Sequence, residues 1–350
     1  MTILLIGGTG VMGHYLAENL QQMGHQVMIT SRVHHESIGS ISYWQCDARK
    51  DCFLDELRGK HFDAIVDFMG YRTEEFKSRV EILLDSTYHY FFLSSSRVYA
   101  ESEVPITENS PMLSDVCRDK EYLHTDEYAL SKAREEKILR TASQKNWTIL
   151  RPYITYGRNR LQLEGMEKEE WLYRAIHGRS VLVSRDILEK RTTMTHAADV
   201  AFCISRLVGR EEAKGEVFNV VGTDNMIWRD VLDIYKDAFL QTGLPFRVRE
   251  VKSAMDIHYP WAKYQICYDR LFNRTFSNQK ILALIGEHSF VSMSKGLRGM
   301  LVSFLESPQF KTIDWNLEAS KDKLSGECAS LSEIEGAKPK LRYLVHRYLR

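Results

Sequence analysis

Tyr128 and Lys132 stand four residues apart in the stretch Tyr128-Ala-Leu-Ser-Lys132. On a helix that spacing puts the phenol and the ammonium on one face, one turn apart. A nearby cation favours the ionised form of a phenol whose reference pKa is about 10, which makes such a pair usable as a general acid/base. Tyr and Lys at this spacing also occur on ordinary helices, so the rest of the chain must supply the context. Three consecutive hydroxyls, Ser94-Ser95-Ser96, close the apolar run Tyr90-Phe-Phe-Leu93 and can donate to a substrate oxygen. The chain opens with Thr2-Ile-Leu-Leu-Ile6 and breaks into Gly7-Gly8-Thr9-Gly10-Val11-Met12-Gly13. Gly7 and Gly8 permit a tight turn, Gly10 lets backbone approach a pyrophosphate, and Gly13 lets the next helix pack on the strand. That helix then points free N–H groups and a partial positive charge at the phosphates.

The elements that must carry these residues follow from the pattern of apolar runs. Residues 2–6, 26–30, 41–44, 63–68, 89–94 and 147–151 read as strands, with helical periodicity at 13–23, 73–84 and 126–143 between them. This alternation predicts an α/β fold, a doubly wound parallel sheet of Rossmann type with helices on both faces. Ligands on such a sheet lie beyond the carboxyl ends of the strands. Those ends carry Gly7, Ser31, the run Phe68-Met69-Gly70-Tyr71, Ser94 to Ser96 and Arg151 to Tyr153. Beyond residue 157 the pattern is mixed, with helices near 166–177, 197–209, 228–242 and 278–285 and strands near 181–183 and 217–221. The expected organisation is a dinucleotide-binding domain over 1–157, with returning segments near 190–225. A smaller, interleaved α/β substrate-binding lobe covers 158–310, and a C-terminal extension covers 311–350. In the tail, Leu341, Leu344, Val345, Tyr348 and Leu349 share one helical face, as expected of a helix packed on a surface or subunit, or laid on an acidic membrane.

The bulk properties narrow the function classes. The 350 residues suffice for a large core, and 47 basic residues balance 47 acidic ones, so nothing favours a polyanion such as nucleic acid as partner. Six cysteines, at 46, 52, 117, 203, 267 and 328, show no Cys-x-x-Cys spacing, and the twelve histidines form no ligand set. Reduced thiols, no metal and a soluble cytoplasmic protein are the expectation, since no stretch nears the ~20 apolar residues of a membrane span.

With these motifs in order, the sequence resembles the extended short-chain dehydrogenase/reductase family, the NAD-dependent epimerase/dehydratase group that mostly acts on nucleotide sugars. The likeness covers about residues 2 to 225. It is carried by the glycine loop, Ser94-Ser-Ser-Arg-Val-Tyr99, Pro105-Ile-Thr-Glu108 and Tyr128-x-x-x-Lys132. Leu150-Arg-Pro152 with Tyr156-Gly157, His196 with Asp199, and Phe218-Asn-Val-Val-Gly222 complete it. The resemblance implies that Tyr128 is the acid/base, that Lys132 holds the nicotinamide ribose, and that Ser95 binds the reacting oxygen, with Ser94 and Ser96 as fallbacks. It places Thr9, Gly10, Val11, Met12, Gly13, Asp47, Phe68, Met69, Gly70, Ser94 and Tyr153 beside the cofactor, and Tyr71, Ser96 and Arg97 beside the substrate. It also implies a homodimer formed through residues 73–86 and 126–143.

Departures from the family sharpen the expectation. NAD-specific members end the second strand with an acidic residue, whereas this chain has Thr30-Ser31-Arg32, which suits a 2′-phosphate. NADP(H) is therefore expected ahead of NAD(H). Dehydratases carry Asp-Glu where this chain has Ser96-Arg97, which disfavours dehydration. The arginine that often holds the diphosphate falls one residue out of register at Arg191, with Arg158 and Arg160 available as a basic rim. The expected function is reduction of a nucleotide-linked ketosugar. An epimerase with tightly bound NAD is the alternative on the same fold. A redox-sensing or RNA-associated protein is the alternative of another class, one whose members often lose the Tyr or Lys retained here.

Overall fold

A computed structural model describes residues 1–257 and 262–349. Seven strands build one sheet: β1 Thr2–Ile6, β2 Gln26–Ser31, β3 Ile41–Gln45, β4 Ala64–Asp67, β5 Tyr90–Leu93, β6 Trp147–Pro152 and β7 Glu216–Val220. Their spatial order is β7-β6-β5-β4-β1-β2-β3, and every neighbouring pair is parallel. The order reverses between β1 and β4, which is where a doubly wound sheet opens its crevice. The predicted Rossmann architecture is present.

Strand β1 explains why both faces are covered. Ile3 and Leu5 enter one core with Leu16, Leu20, Val27 and Ile29, while Leu4 and Ile6 enter the other with Phe53, Leu57, Ile65 and Phe92. A strand buried on both faces reads as a continuous apolar run rather than an alternating one. Around the sheet lie α1 Val11–Gln22, α2 Asp51–Leu57, α3 Thr73–Lys77, α4 Val80–Asp85 and α5 Tyr128–Arg140. The single helix expected over 73–84 is two short ones. The break falls at Arg79, whose buried guanidinium turns inward to the carbonyls of Ala48 and Arg49 and holds the loop after β3. Helix α5 begins at Tyr128 itself, with the Glu127 side chain accepting the Ala129 N–H as the cap, so the tyrosine occupies the first helical position.

The chain divides into two compact units. The first comprises Met1–Thr155, Thr193–Asp224 and Thr275–Val291; the second comprises Tyr156–Thr192, Asn225–Arg274 and Ser292–Arg350. The second unit is helical with small two-stranded pairings, among them Val181–Ser184 parallel to Val248–Val251. Residues beyond 311 are part of this unit. Helix Trp315–Ser325 brings Glu318 and Asp322 to the fully buried Arg174 at 2.9 and 2.7 Å, and Arg179 meets the same two carboxylates.

The terminal helix Ala337–Tyr348 packs through Tyr343 and the adjoining Leu344, so only one edge of the expected apolar stripe is covered. Leu341, Tyr348 and Leu349 are 64%, 60% and 80% exposed, and Tyr343 is buried. The Tyr343 hydroxyl donates to Asp322 at 2.6 Å and accepts the Ala329 N–H at 2.7 Å, so a polar anchor overrides the apolar stripe. Arg350 lies outside the described residues. Among the described residues no helix is long and apolar enough to cross a membrane.

Arg174→Met leaves Glu318 and Asp322 with Arg179 as their remaining guanidinium, and unpairing buried charges costs about 3–5 kcal/mol. Chemical denaturation is expected to register a loss of that order in the second unit. A loss below about 1 kcal/mol would mean that Arg179 compensates alone.

Candidate active site

The glycine turn is fixed from below. Gly7 adopts φ +68°, and its N–H donates to the buried Thr30 Oγ1 at 2.8 Å, tying the end of β2 to the loop. A Cβ on Gly13 would lie 2.2 Å from the Gly8 carbonyl oxygen, and one on Gly8 would lie 2.7 Å from Leu5 Cβ. Both positions exclude a side chain for packing reasons. Gly10 differs: a Cβ there would meet nothing within 4 Å. Gly10 is also the N-cap of α1, and no side chain caps the helix. The first-turn N–H groups of Val11, Met12 and Gly13 therefore face an open approach beside Thr9, a cradle that fits a pyrophosphate.

Around this cradle the other expected cofactor positions take defined roles. Ser31 Oγ accepts the Val33 N–H at 3.2 Å, which turns the chain after β2. Arg32 is exposed there, with no hydrogen bond or ion pair among the described residues. Asp47 Oδ1 accepts the Arg49 N–H at 3.1 Å. Phe68 and Met69 are half-buried and Gly70 is exposed at the end of β4. The Met69 sulfur lies over the turn, 2.8 Å from where a Gly7 Cβ would stand, and its carbonyl accepts from Lys132 Nζ at 3.3 Å. Met69 thus links the glycine turn to the lysine. Tyr153 is buried just after β6, its ring 5.0 Å from that of Phe276.

The three serines separate cleanly. Ser94 Oγ donates to Glu136 at 2.6 Å, and Ser96 Oγ donates to the Arg151 carbonyl at 2.9 Å. Ser95 Oγ accepts the Arg97 N–H at 3.2 Å, and its own proton has no acceptor among the described residues. Ser95 is the serine whose donor is left over. Arg97 connects it to the tyrosine: its guanidinium pairs with Glu127 at 2.5 Å and lies 5.4 Å from the centre of the Tyr128 ring. Tyr128 is 45% exposed, so its phenol is accessible. Lys132 is buried, bonded to Glu135 Oε2 at 2.9 Å, with its ammonium 4.4 Å over the Phe92 ring.

The sequence did not single out Thr30, Asp67, Glu127, Glu135 or Glu136. Asp67 ends β4 and collects the Met69 N–H at 2.9 Å and the hydroxyls of Tyr71 and Tyr90 at 3.0 and 2.7 Å; burial pushes its carboxyl up to about 6. The Tyr71 hydroxyl is thereby committed to Asp67. A signal for Asp67 was available in Ala64-Ile-Val-Asp67, an acid closing an apolar strand, and one for Glu135 in its spacing of three from Lys132. His196 Nδ1 accepts the Ala198 N–H at 3.2 Å and caps the helix Ala197–Leu207, while Asp199 binds His288 Nε2 at 2.8 Å and the Val291 N–H at 3.0 Å. In the second unit Arg158 is exposed, Arg160 lies 4.0 Å from Glu167, and Arg191 bonds the Asn225 side chain at 3.0 Å.

The model of the family described as NAD dependent epimerase/dehydratase matches residues 3–221. The chain belongs to the NAD dependent epimerase/dehydratase family. The chain is 27% identical over 237 residues to chloroplast stem-loop binding protein of 41 kDa b of Arabidopsis thaliana. That match takes in 63% of this chain and only 58% of the relative's length. It is 24% identical over 330 residues to the UDP-N-acetyl-alpha-D-glucosaminuronate decarboxylase of Bacillus cytotoxicus, covering 87% of this chain and 97% of that one. The solved UDP-glucuronic acid 4-epimerase of Bacillus cereus, in complex with UDP-glucuronic acid and NAD, shares the fold with a TM-score of 0.66 at 15% identity, over 87% of this chain and 100% of that one. The matched range takes in the glycine turn, Ser95, Tyr128 and Lys132.

The glycines give a test that separates packing from binding. Gly10→Ala is expected to leave thermal stability unchanged and to weaken dinucleotide binding at least about tenfold by obstructing the phosphate approach. Gly13→Ala is expected to lower stability as well. Equal behaviour of the two variants would contradict the distinct roles.

Proposed function

We propose that this chain is an oxidoreductase that uses NADP(H) to reduce a ketone on a nucleotide-activated sugar. The observation that carries the reading is the pair of donors left available, the Ser95 hydroxyl at the carboxyl end of β5 and the exposed Tyr128 at the start of α5, with the Lys132 ammonium held one turn further on by Glu135. The decarboxylase relative and the solved 4-epimerase are both named for UDP-linked sugars, which supports a nucleotide-sugar substrate.

When bound, the reduced dinucleotide supplies a hydride. Ser95 donates a hydrogen bond to the ketone oxygen and polarises it. Tyr128 passes its phenolic proton to the same oxygen as negative charge develops there. Lys132 donates to the nicotinamide ribose, the turn at Gly7–Gly13 receives the pyrophosphate, and Asp47 faces the adenine. Ser31 and Arg32 receive a 2′-phosphate; the exposed guanidinium of Arg32, which has no partner among the described residues, supports this, and NAD(H) is the alternative with Arg32 left at the surface. Arg158, Arg160 and Arg191 serve the substrate diphosphate. Arg97 stands where dehydratases carry an acid and is committed to Glu127, which supports reduction over dehydration. The homodimer, with residues 73–86 and 126–143 as its paired helices, belongs to the same proposal.

Two other readings have specific support. An epimerase that recycles bound NAD uses the same tyrosine and matches the name of the solved neighbour. An RNA-associated role is supported by the name of the chloroplast relative and opposed by the balance of 47 basic and 47 acidic residues. RNA affinity that falls steeply with salt would favour it.

Denaturing freshly purified protein and identifying the released dinucleotide decides between the first two, since co-purifying NAD favours the epimerase. Tyr128→Phe is expected to bind dinucleotide normally and to lose turnover of nucleotide ketosugars at least about 100-fold; retained turnover removes the assignment. Arg32→Ser is expected to weaken NADPH about tenfold while sparing NADH, by loss of a charge-assisted phosphate contact. An equal effect on both cofactors would exclude the 2′-phosphate role.

A further inference from the structure

Glu135 lies three residues beyond Lys132 on α5 and is fully buried. Its Oε2 accepts from Lys132 Nζ at 2.9 Å, and its Oε1 accepts from Ser131 Oγ at 2.7 Å. Burying a carboxylate is costly without a partner, and here the partner is the cation on which the acid/base chemistry of Tyr128 would draw. Seen from a phenol one turn away, a contact ion pair acts as a dipole rather than as a net charge.

We infer that Glu135 is a positioning residue: its carboxylate holds and neutralises the Lys132 ammonium, keeping Tyr128 protonated as the acid of a reduction. The inference rests on the reading of Tyr128 given above and narrows it. The remaining groups facing Lys132 reinforce the same balance. From the end of β4 come the Met69 carbonyl and Asp67, which is a second anion above about pH 6. Beside Asp67 lie the Tyr71 and Tyr90 hydroxyls, both donating to it, and β5 adds the Phe92 ring. On α5 itself are Ser131 and Glu135. At the start of the helix Asp126 is bonded by Thr73 and Arg134, and Arg97, the other cation at Tyr128, is paired with Glu127. Arg97 beside the Tyr128 ring and Lys132 one helical turn on are therefore each matched by a carboxylate. A base for oxidation or epimerisation must start as phenolate, whereas an acid for reduction must start protonated. The charge balance serves the second.

The test is the pH profile of ketosugar reduction by Glu135→Gln, which keeps the hydrogen-bonding shape and removes the charge. Freeing the Lys132 charge favours phenolate, so the alkaline fall in kcat is expected about one pH unit nearer neutrality than in the wild type. NADPH binding, followed by its fluorescence, is expected to be at least as tight, because the ammonium keeps its donor for the ribose and loses a competing charged acceptor. An unmoved alkaline fall, with Tyr128→Phe still inactive, overturns the role of Glu135 and leaves the function standing. Normal turnover by Tyr128→Phe removes both. Glu135→Asp keeps the charge on a shorter arm and guards against a misfolded single variant. Its alkaline fall is expected to stay near that of the wild type; a displacement as large as that of Glu135→Gln would mean that the charge is not what acts, and would overturn the inference.

Discussion

The site depends on one buried ion pair. Arg151, at the carboxyl end of β6, sends its Nε to Glu136 of α5 at 2.8 Å and its second nitrogen to the other oxygen of the same carboxylate. Both side chains are excluded from water, so the pair holds only because its geometry is two-pronged and its remaining valences are filled. Ser94 donates to Glu136 from the end of β5, and Tyr99 bridges Arg151 Nη1 at 2.6 Å to Asn219 of β7 at 2.7 Å. The Asn219 N–H donates in turn to Glu108 at 2.7 Å. Helix α5, which carries Tyr128 and Lys132, is thereby clamped to the ends of three strands. The charge of Arg151 is strengthened by Glu136, and burial pushes the Tyr99 phenol up to about 12, which suits a fixed donor and not a titrating one.

This clamp recasts several motifs. Tyr99, Glu108, Arg151 and Asn219 come from four separate stretches of the chain that share no local pattern, yet they form a single connected network. The residues left for chemistry are those the network does not consume. On the proposed reading the site is defined by subtraction: the scaffold takes the groups it needs to orient the helix and leaves the remainder for a substrate.

Much of this was legible in the sequence and some was not, for physical reasons. Strands β1 to β7 follow from apolar runs bounded by turns, because parallel strands buried on both faces have no alternative use for such runs. Among the loop glycines, the structure gives a steric reason for Gly7 in its positive φ and for Gly8 and Gly13 in close packing, and it leaves open space at Gly10. The choice of Ser95 among three serines came from family spacing, and the structure adds the reason, that its two neighbours spend their protons on Glu136 and Arg151. Periodicity failed where a polar group took control. Arg79 split a regular helix by turning inward, and Tyr343 drew the terminal helix onto Asp322 against its apolar stripe. Glu135 and Asp67 left a signal in their spacing and strand-end position, but it did not single them out because an acidic residue on a helix or strand end looks solvated until its burial is known.

The division of labour among the serines has a practical side. Ser94, Ser95 and Ser96 are identical in composition and adjacent in sequence, so a screen that scores only product formation would rank substitutions at all three alike. Loss at Ser94 would loosen Glu136 and with it helix α5, loss at Ser96 would release the end of β6, and loss at Ser95 would, on the proposed reading, remove a hydrogen bond to the substrate oxygen. Only a library read twice, once for yield of folded protein and once for rate per folded molecule, would tell the scaffold from the chemistry, and a redesign aimed at new substrates would then know which of the three to leave alone.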